Sequence, residues 1–255
     1  MANALAPVGE IAKKREASLS LDTVLEDLFG LNVRGLKTVA VLWRHPARYF
    51  EAARSPDLED RYTPSIRLWL SFFALYSALK FWWLGGNDGM IEAYAAGFEA
   101  AHLVLPEGMT YRDVGQEAVL GIFGAIPILQ IITMVLLTVL FPFWGERTPI
   151  ALRQRKLFAV IVPSTSLMPV FMTLMMVTPS GLLTLYGVGL AIVTMLIDFQ
   201  TAYRGAICRI GRWAKLWRAA LLAFVIVSLN VLTSVGAQIA GIVLIGNAYG
   251  TAPPG

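Results

Sequence analysis

Few side chains in this sequence are suited to nucleophilic or metal chemistry: two histidines, His45 and His102, one cysteine, Cys208, and nine methionines. Two histidines bind one metal, or join one triad, only if the fold brings them together. Here the apolar runs between them predict opposite sides of a membrane, so that use is not expected. Cys208 has no histidine near it in sequence to act as its base, and a nucleophile role is not expected either. Met168, Met172, Met175 and Met176 share one helical face. Thioethers at that spacing suit a soft cation such as Cu(I), but methionine is equally an adaptable packing residue. With no cysteine or histidine nearby to complete a site, no metal and no cofactor is expected. Phosphate-cradling glycine loops, nucleophile elbows and zinc-protease motifs are absent from the sequence. The chain does not read as an enzyme.

The more informative residues are polar ones in apolar surroundings. Asn230, Ser234, Gln238 and Gly241 fall at i, i+4, i+8 and i+11, a single stripe on one helix. Gln130 and the cluster Ser164, Thr165 and Ser166 are placed to face that stripe. Such groups either hydrogen-bond helix to helix, with small residues permitting close approach, or line a polar cavity for a lipid headgroup or small solute. Asp198 is the one acid inside an apolar run. Acids in that position face protein and find a partner, which predicts an ion pair with Arg204 or another base of the same segment.

These residues are positioned by long apolar segments. The 255-residue chain is 56% hydrophobic and 15% charged, against about a quarter charged in soluble domains. Its organising stretch runs from Leu157 to Ile197 without a charge, divided by Thr178-Pro179-Ser180-Gly181 into two bilayer-length arms. The first arm carries Pro163 and Pro169 around its hydroxyl cluster. Backbone freed by prolines is tolerated in hydrocarbon only under a cover of protein or inside a wet cavity, so a surrounding bundle is predicted. The expected fold is all-α, a polytopic transmembrane bundle of five spans near residues 64–84, 118–144, 157–178, 182–203 and 219–246. Residues 1–63 are expected to form a cytoplasmic tail and amphipathic interfacial helices, the bundle to occupy 64–250, and 251–255 to form a short tail. No cleavable signal peptide is expected at the N-terminus.

Within the first 63 residues, Leu21, Val24, Leu25, Leu28 and Phe29 form one apolar helical face that Gly30 ends. A second helix, Val33 to Arg44, sets Val33, Leu36, Ala40 and Trp43 on one side, and a third begins at Pro46. These helices lie along the membrane surface or pack on the cytoplasmic ends of the bundle. Bases fix the expected orientation. The region through Arg67 and the loops after spans 2 and 4 hold 10, 4 and 5 Lys/Arg, while only Lys80 and Arg112 fall on the other side. The positive-inside rule then puts the N-terminus in the cytoplasm and the C-terminus in the periplasm of a bacterial inner membrane. Arg153, Arg155 and Lys156, with Arg209, Arg212, Lys215 and Arg218, are expected at anionic lipid headgroups. In the second group, interleaved Ile207, Ile210, Trp213 and Trp217 suggest a helix lying at the interface. Bases spread in this way do not form a nucleic-acid surface.

Two stretches resemble a family of uncharacterised bacterial membrane proteins. Gly35-Leu36-Lys37-Thr38, then Arg44-His45-Pro46, then Asp60-Arg61-Tyr62-Thr63-Pro64 are similar to its pattern ahead of the first span. Tyr203-Arg204 through Trp217 is similar to its basic segment before the last span. The five-span plan with a cytoplasmic amphipathic N-terminus also resembles the Yip-domain proteins. The bacterial family often begins with a cysteine zinc ribbon, which this sequence lacks. The resemblance implies an integral membrane protein without established catalysis, linked in the Yip case to trafficking or membrane organisation. From the whole reading, the expected function is a non-catalytic scaffold or accessory subunit holding other membrane protein subunits and anionic lipid. The alternative is a transporter or channel for a lipid or small solute, through an interior lined by spans 2, 3 and 5.

Overall fold

The computed structural model describes residues 33–82, 88–140, 143–144, 147–208 and 211–249. The predicted helix over Leu21–Phe29, both terminal tails, Arg209 and the last residues of the first expected span lie outside them. Among the described residues the chain is all-helical: α1 (Val33–Arg44), α2 (Pro46–Ala52), α3 (Leu58–Arg61), α4 (Ser65–Trp82), α5 (Asp88–Ala100), α6 (Tyr111–Leu137), α7 (Ile150–Ser166), α8 (Met168–Met176), α9 (Leu183–Arg204) and α10 (Arg212–Tyr249). Four stretches are long and apolar enough to cross a membrane: Tyr111–Leu137, Ile150–Met175, Leu183–Arg204 and Arg212–Tyr249. Within α4, Ser65–Leu79 is a shorter apolar helix.

At the centre lies α7, whose residues Lys156 to Ser164 are all buried. Pro163 removes a backbone donor, and the neighbouring hydroxyls turn back onto their own helix. Thr165 donates to the Ile161 carbonyl at 2.7 Å, Ser164 Oγ lies 2.9 Å from the same oxygen, and Ser166 donates to the Pro163 carbonyl at 2.7 Å. The helix breaks at Leu167 and restarts as α8, with Pro169 in its first turn where a missing N–H costs nothing. A short 3-10 turn, Ser180–Leu182, then leads into α9.

The larger core sits where α1 and α2 close one end of the bundle. Leu42, Tyr49 and Phe50 meet Leu68 of α4, Leu157 and Phe158 of α7, Ile207, and Leu222 of α10. On α1 the buried side is Gly35, Thr38 and Leu42, while Val33 is 83% and Leu36 58% exposed. Of the apolar face expected from spacing, Val33, Leu36 and Ala40 therefore point outward and Trp43 is half-buried, while the face of Gly35, Thr38 and Leu42 packs. The reason is polar. Thr38 Oγ1 accepts the backbone N–H of Thr63 at 3.1 Å, and the Tyr49 hydroxyl accepts that of Ser65 at 2.7 Å, satisfying the chain where it enters α4.

At the other end α5 packs on α6, with Ile91 against Val119, Ile122 and Phe123, and Phe98 near Val114 and Ile245. Helices α6, α7 and α10 each begin seven residues before the expected spans, and α6 ends at Leu137 rather than near 144; two of these shifts have a local cause. First, α6 begins before Ala118, because Thr110 and Asp113 form a reciprocal capping box that starts the helix at Tyr111. Second, the basic segment Arg212–Arg218 is not a separate interfacial helix but the opening turns of α10. No glycine or proline interrupts residues 212–235, so nothing stops the helix.

Candidate functional site

Six helices line a shared cavity of about 230 Å³. From α9 come Gly187, Leu190, Ala191, Thr194 and Asp198, spaced i, i+3, i+4, i+7 and i+11. At 1.5 Å per residue this face is about 16 Å long, with Asp198 at its deep end. From α10 come Ile226, Asn230 and Ser234; from α6, Ile126, Gln130 and Met134; from α4, Trp69, Phe73 and Tyr76. Ile161, Ser164, Thr165 and Met168 close the α7–α8 side. Gly187, Val231 and Ser234 are exposed, which puts the opening at their level, away from Asp198.

The deep end is built around one short contact: Asp198 Oδ1 lies 2.6 Å from Ser164 Oγ. Asp198 is 2% exposed. Sequence predicts Arg204 or another base of the same segment as its partner, and the partner found is Ser164. Arg204 instead donates to the carbonyls of Trp43, at 3.4 Å, and Arg44, closing the C-terminal end of α1. Helical geometry is the reason. Six residues at 100° each leave the two side chains about 120° apart around α9, whereas partners sit three or four apart. Higher up, Gln130 Nε2 donates to Asn230 Oδ1 at 2.8 Å, and the hydroxyls of Thr133 and Thr233 are 3.3 Å apart.

Of the polar residues singled out from sequence, Gln130, Ser164, Thr165, Asn230 and Ser234 line the cavity. Ser166 does not: it accepts from Trp43 Nε1 at 3.2 Å and so ties α1 to α7. Gln238 is exposed, one turn beyond Ser234. Two groups were missed. Thr194 sits one turn before Asp198 on the same face, a spacing legible in advance. The second is the aromatic side, Trp69, Phe73 and Tyr76, where Trp69 and Phe73 stack at 5.0 Å inside the bundle. Of the methionine face, Met168 lines the cavity and Met172 is buried. Among the described residues no cluster of three His, Cys, Asp or Glu side chains forms.

The bases divide. Lys156 departs from the expected headgroup position: it is 4% exposed, and its ammonium donates to the Ile207 carbonyl at 3.0 Å. Arg155 donates to the Ala53 carbonyl at 3.2 Å and Arg153 to that of Thr148 at 2.9 Å, so both tie loops to the bundle. On α10, Arg212 is exposed, Lys215 lies over the Tyr203 ring at 4.6 Å, and Arg218 lies against Trp217 at 5.3 Å. The Arg218 Nε and one terminal nitrogen are buried without an acceptor among the described residues. No protein-family model, curated protein or solved structure matches this chain.

Proposed function

We propose that this chain is an integral membrane protein of five spans whose interior cavity receives a small solute, as a transporter or a membrane-embedded binding protein. One observation carries the reading: five helices direct polar and aromatic side chains into a single space ending on a buried carboxyl group. A bundle that only anchors a partner has no need of that arrangement, since polar groups in hydrocarbon are costly unless paired or wetted. The fifth span is α4, whose 18 residues extend about 27 Å, close to the hydrocarbon thickness. The bases gathered near α1 and α2 support an orientation in which that end faces the cytoplasm of a bacterial inner membrane and α5 the periplasm. The cavity then opens toward the periplasmic half.

Cysteine accessibility tests this. In a Cys208→Ser background, Thr194→Cys should react with a small water-borne methanethiosulfonate, because a thiol reacts as the hydrated thiolate. Leu232→Cys, on the outward face of α10, should react far more slowly. Equal and negligible labelling at both positions would mean a dry interior and end the proposal.

A second reading, a scaffold or accessory subunit holding protein partners and anionic lipid, draws on a different feature. The outward face of α1, with Val33 and Leu36, and the 81% exposed Trp213 offer apolar surface beside Arg212 and Arg218. The exposed guanidinium of Arg212, next to Trp213, suits a lipid phosphate. The resemblance of the expected five-span plan to the Yip-domain proteins belongs with this second reading.

A further inference from the structure

The cavity's chemistry is lopsided, and the imbalance points to a ligand class. Among the described residues lining it there is one carboxylic acid, Asp198, and no base. Two bases from the helices that carry Asp198 and Ser164 make hydrogen bonds elsewhere: Arg204 to the end of α1, and Lys156 to the Ile207 carbonyl. The ion pairs formed among the described residues join Arg112 to Asp88 and Glu92, far along the chain. Ser164 meets Oδ1, and no hydrogen bond to Oδ2 forms among the described residues.

The hydroxyls add to this. Thr165 donates its proton to the Ile161 carbonyl at 2.7 Å, and Thr194 donates to that of Leu190 at 2.9 Å. A hydroxyl has one proton and two lone pairs, so each oxygen is left as an acceptor. One Gln130 donor is likewise spent on Asn230, although the Asn230 amide keeps its own. The aromatic side chains of Trp69, Phe73 and Tyr76 complete the wall. Asp198 is the one group among the described lining residues able to carry a formal charge, and a buried carboxylate is costly until a cation pairs with it.

Resting on the solute-binding reading above, we propose that the cavity takes a small organic monocation. Its ammonium group pairs with Asp198 and its apolar portion lies against Trp69, Phe73 and Tyr76. At about 230 Å³ the space is below the roughly 300–1,000 Å³ of sites for drug-sized ligands, which limits the cation to a compact amine. Rings facing a cation in a desolvated site add to the attraction.

The test uses the full-length chain purified in mild detergent, titrated with benzylammonium chloride, benzyl alcohol or sodium benzoate. Thermal stabilisation and titration calorimetry are the readouts. Benzylammonium is expected to bind saturably and raise the melting temperature, benzoate to do neither, and benzyl alcohol to bind at least ~10-fold more weakly. Asp198→Asn should weaken benzylammonium on the order of tenfold or more while leaving the detergent-purified protein monodisperse, because Ser164 still has a carbonyl oxygen to donate to. Should that variant fail to fold, Thr194→Leu serves in its place. It fills the cavity one turn from Asp198, keeps the carboxyl, and should cause the same loss.

Equal binding of the alcohol and the amine, unaltered in Asp198→Asn, would overturn the cation assignment and leave the solute-binding reading standing. So would stabilisation by sodium chloride alone to the same extent, which would mean an inorganic ion. If none of the three compounds binds while Thr194→Cys is labelled from water, the ligand class falls and the wet cavity remains. If Thr194→Cys is also unlabelled, both fall.

Discussion

The side-chain amide of Gln130 donates to that of Asn230 at 2.8 Å, joining α6 to α10 across 100 positions of sequence. Tyr249 Oη to Glu117 at 2.5 Å, and Gly241 against Ile122, show the same two helices running antiparallel along their length. The amide pair sits on the wall of the cavity, so it both holds the helices together and shapes the space between them. Replacing either residue by Leu strands the other amide among apolar groups. Each single variant should lose about 1 kcal/mol of stability. The double variant should lose less than the two combined, by roughly 0.6 kcal/mol. Equilibrium unfolding in mixed detergent measures all four proteins, and strict additivity would mean that the bond contributes nothing.

Close approach of α6 and α10 depends on Gly241. A β-carbon there would meet Ile122 Cγ1 at 2.6 Å and the Ala118 carbonyl oxygen at 3.3 Å. Gly241→Val should therefore cost about 1–3 kcal/mol by forcing the helices apart. Gly246 lies five residues on, and its β-carbon would meet nothing within 4 Å. Gly246→Ala should be neutral, or stabilising by up to ~1 kcal/mol from helix propensity. The two melting temperatures, measured side by side, separate packing from propensity.

The role of Arg204 is to hold α1, not to neutralise Asp198. Arg204→Gln should free the last carbonyls of α1 and speed proteolytic cleavage between residues 33 and 63, at a cost of about 1 kcal/mol. Combined with Asp198→Asn, its effect should be additive within about 0.5 kcal/mol, as for groups with no shared partner. A coupling well above that would restore the ion pair that the structure replaces.

Tyr49 is the residue most open to a test by pH. Burial pushes its phenol above the ordinary 10.0, against the smaller opposing effects of its Ser65 hydrogen bonds and Arg155. The folded state thus holds this proton more tightly than the unfolded chain does. Its contribution is complete below about pH 10 and is lost as pH rises through the folded-state value. Melting temperature should fall on passing from about pH 9 to pH 11. Tyr49→Phe should be less stable at pH 7 by about 1 kcal/mol, having lost the Ser65 and Thr63 bonds, yet show a shallower alkaline decline. An unchanged slope would mean that Tyr49 is not the group titrating.

Apolar run length, the proline-hydroxyl cluster of α7 and the spacing of Asn230 and Ser234 were enough to read an all-helical bundle and several of its inward-facing residues. Those features are local, because helical periodicity makes residues three, four and seven apart share a face whatever surrounds them. The capping box at Thr110 and Asp113 and the face joining Thr194 to Asp198 were legible on the same grounds and were passed over. Partner choice was not legible. That Asp198 meets Ser164, that Arg204 serves α1, that Lys156 turns inward to a carbonyl, and that α1 buries Gly35 and Thr38 are decided by which helices become neighbours. In an apolar surround the competition for a polar group's partner is won by whichever unsatisfied group lies within about 3 Å, and only the assembled fold sets that distance.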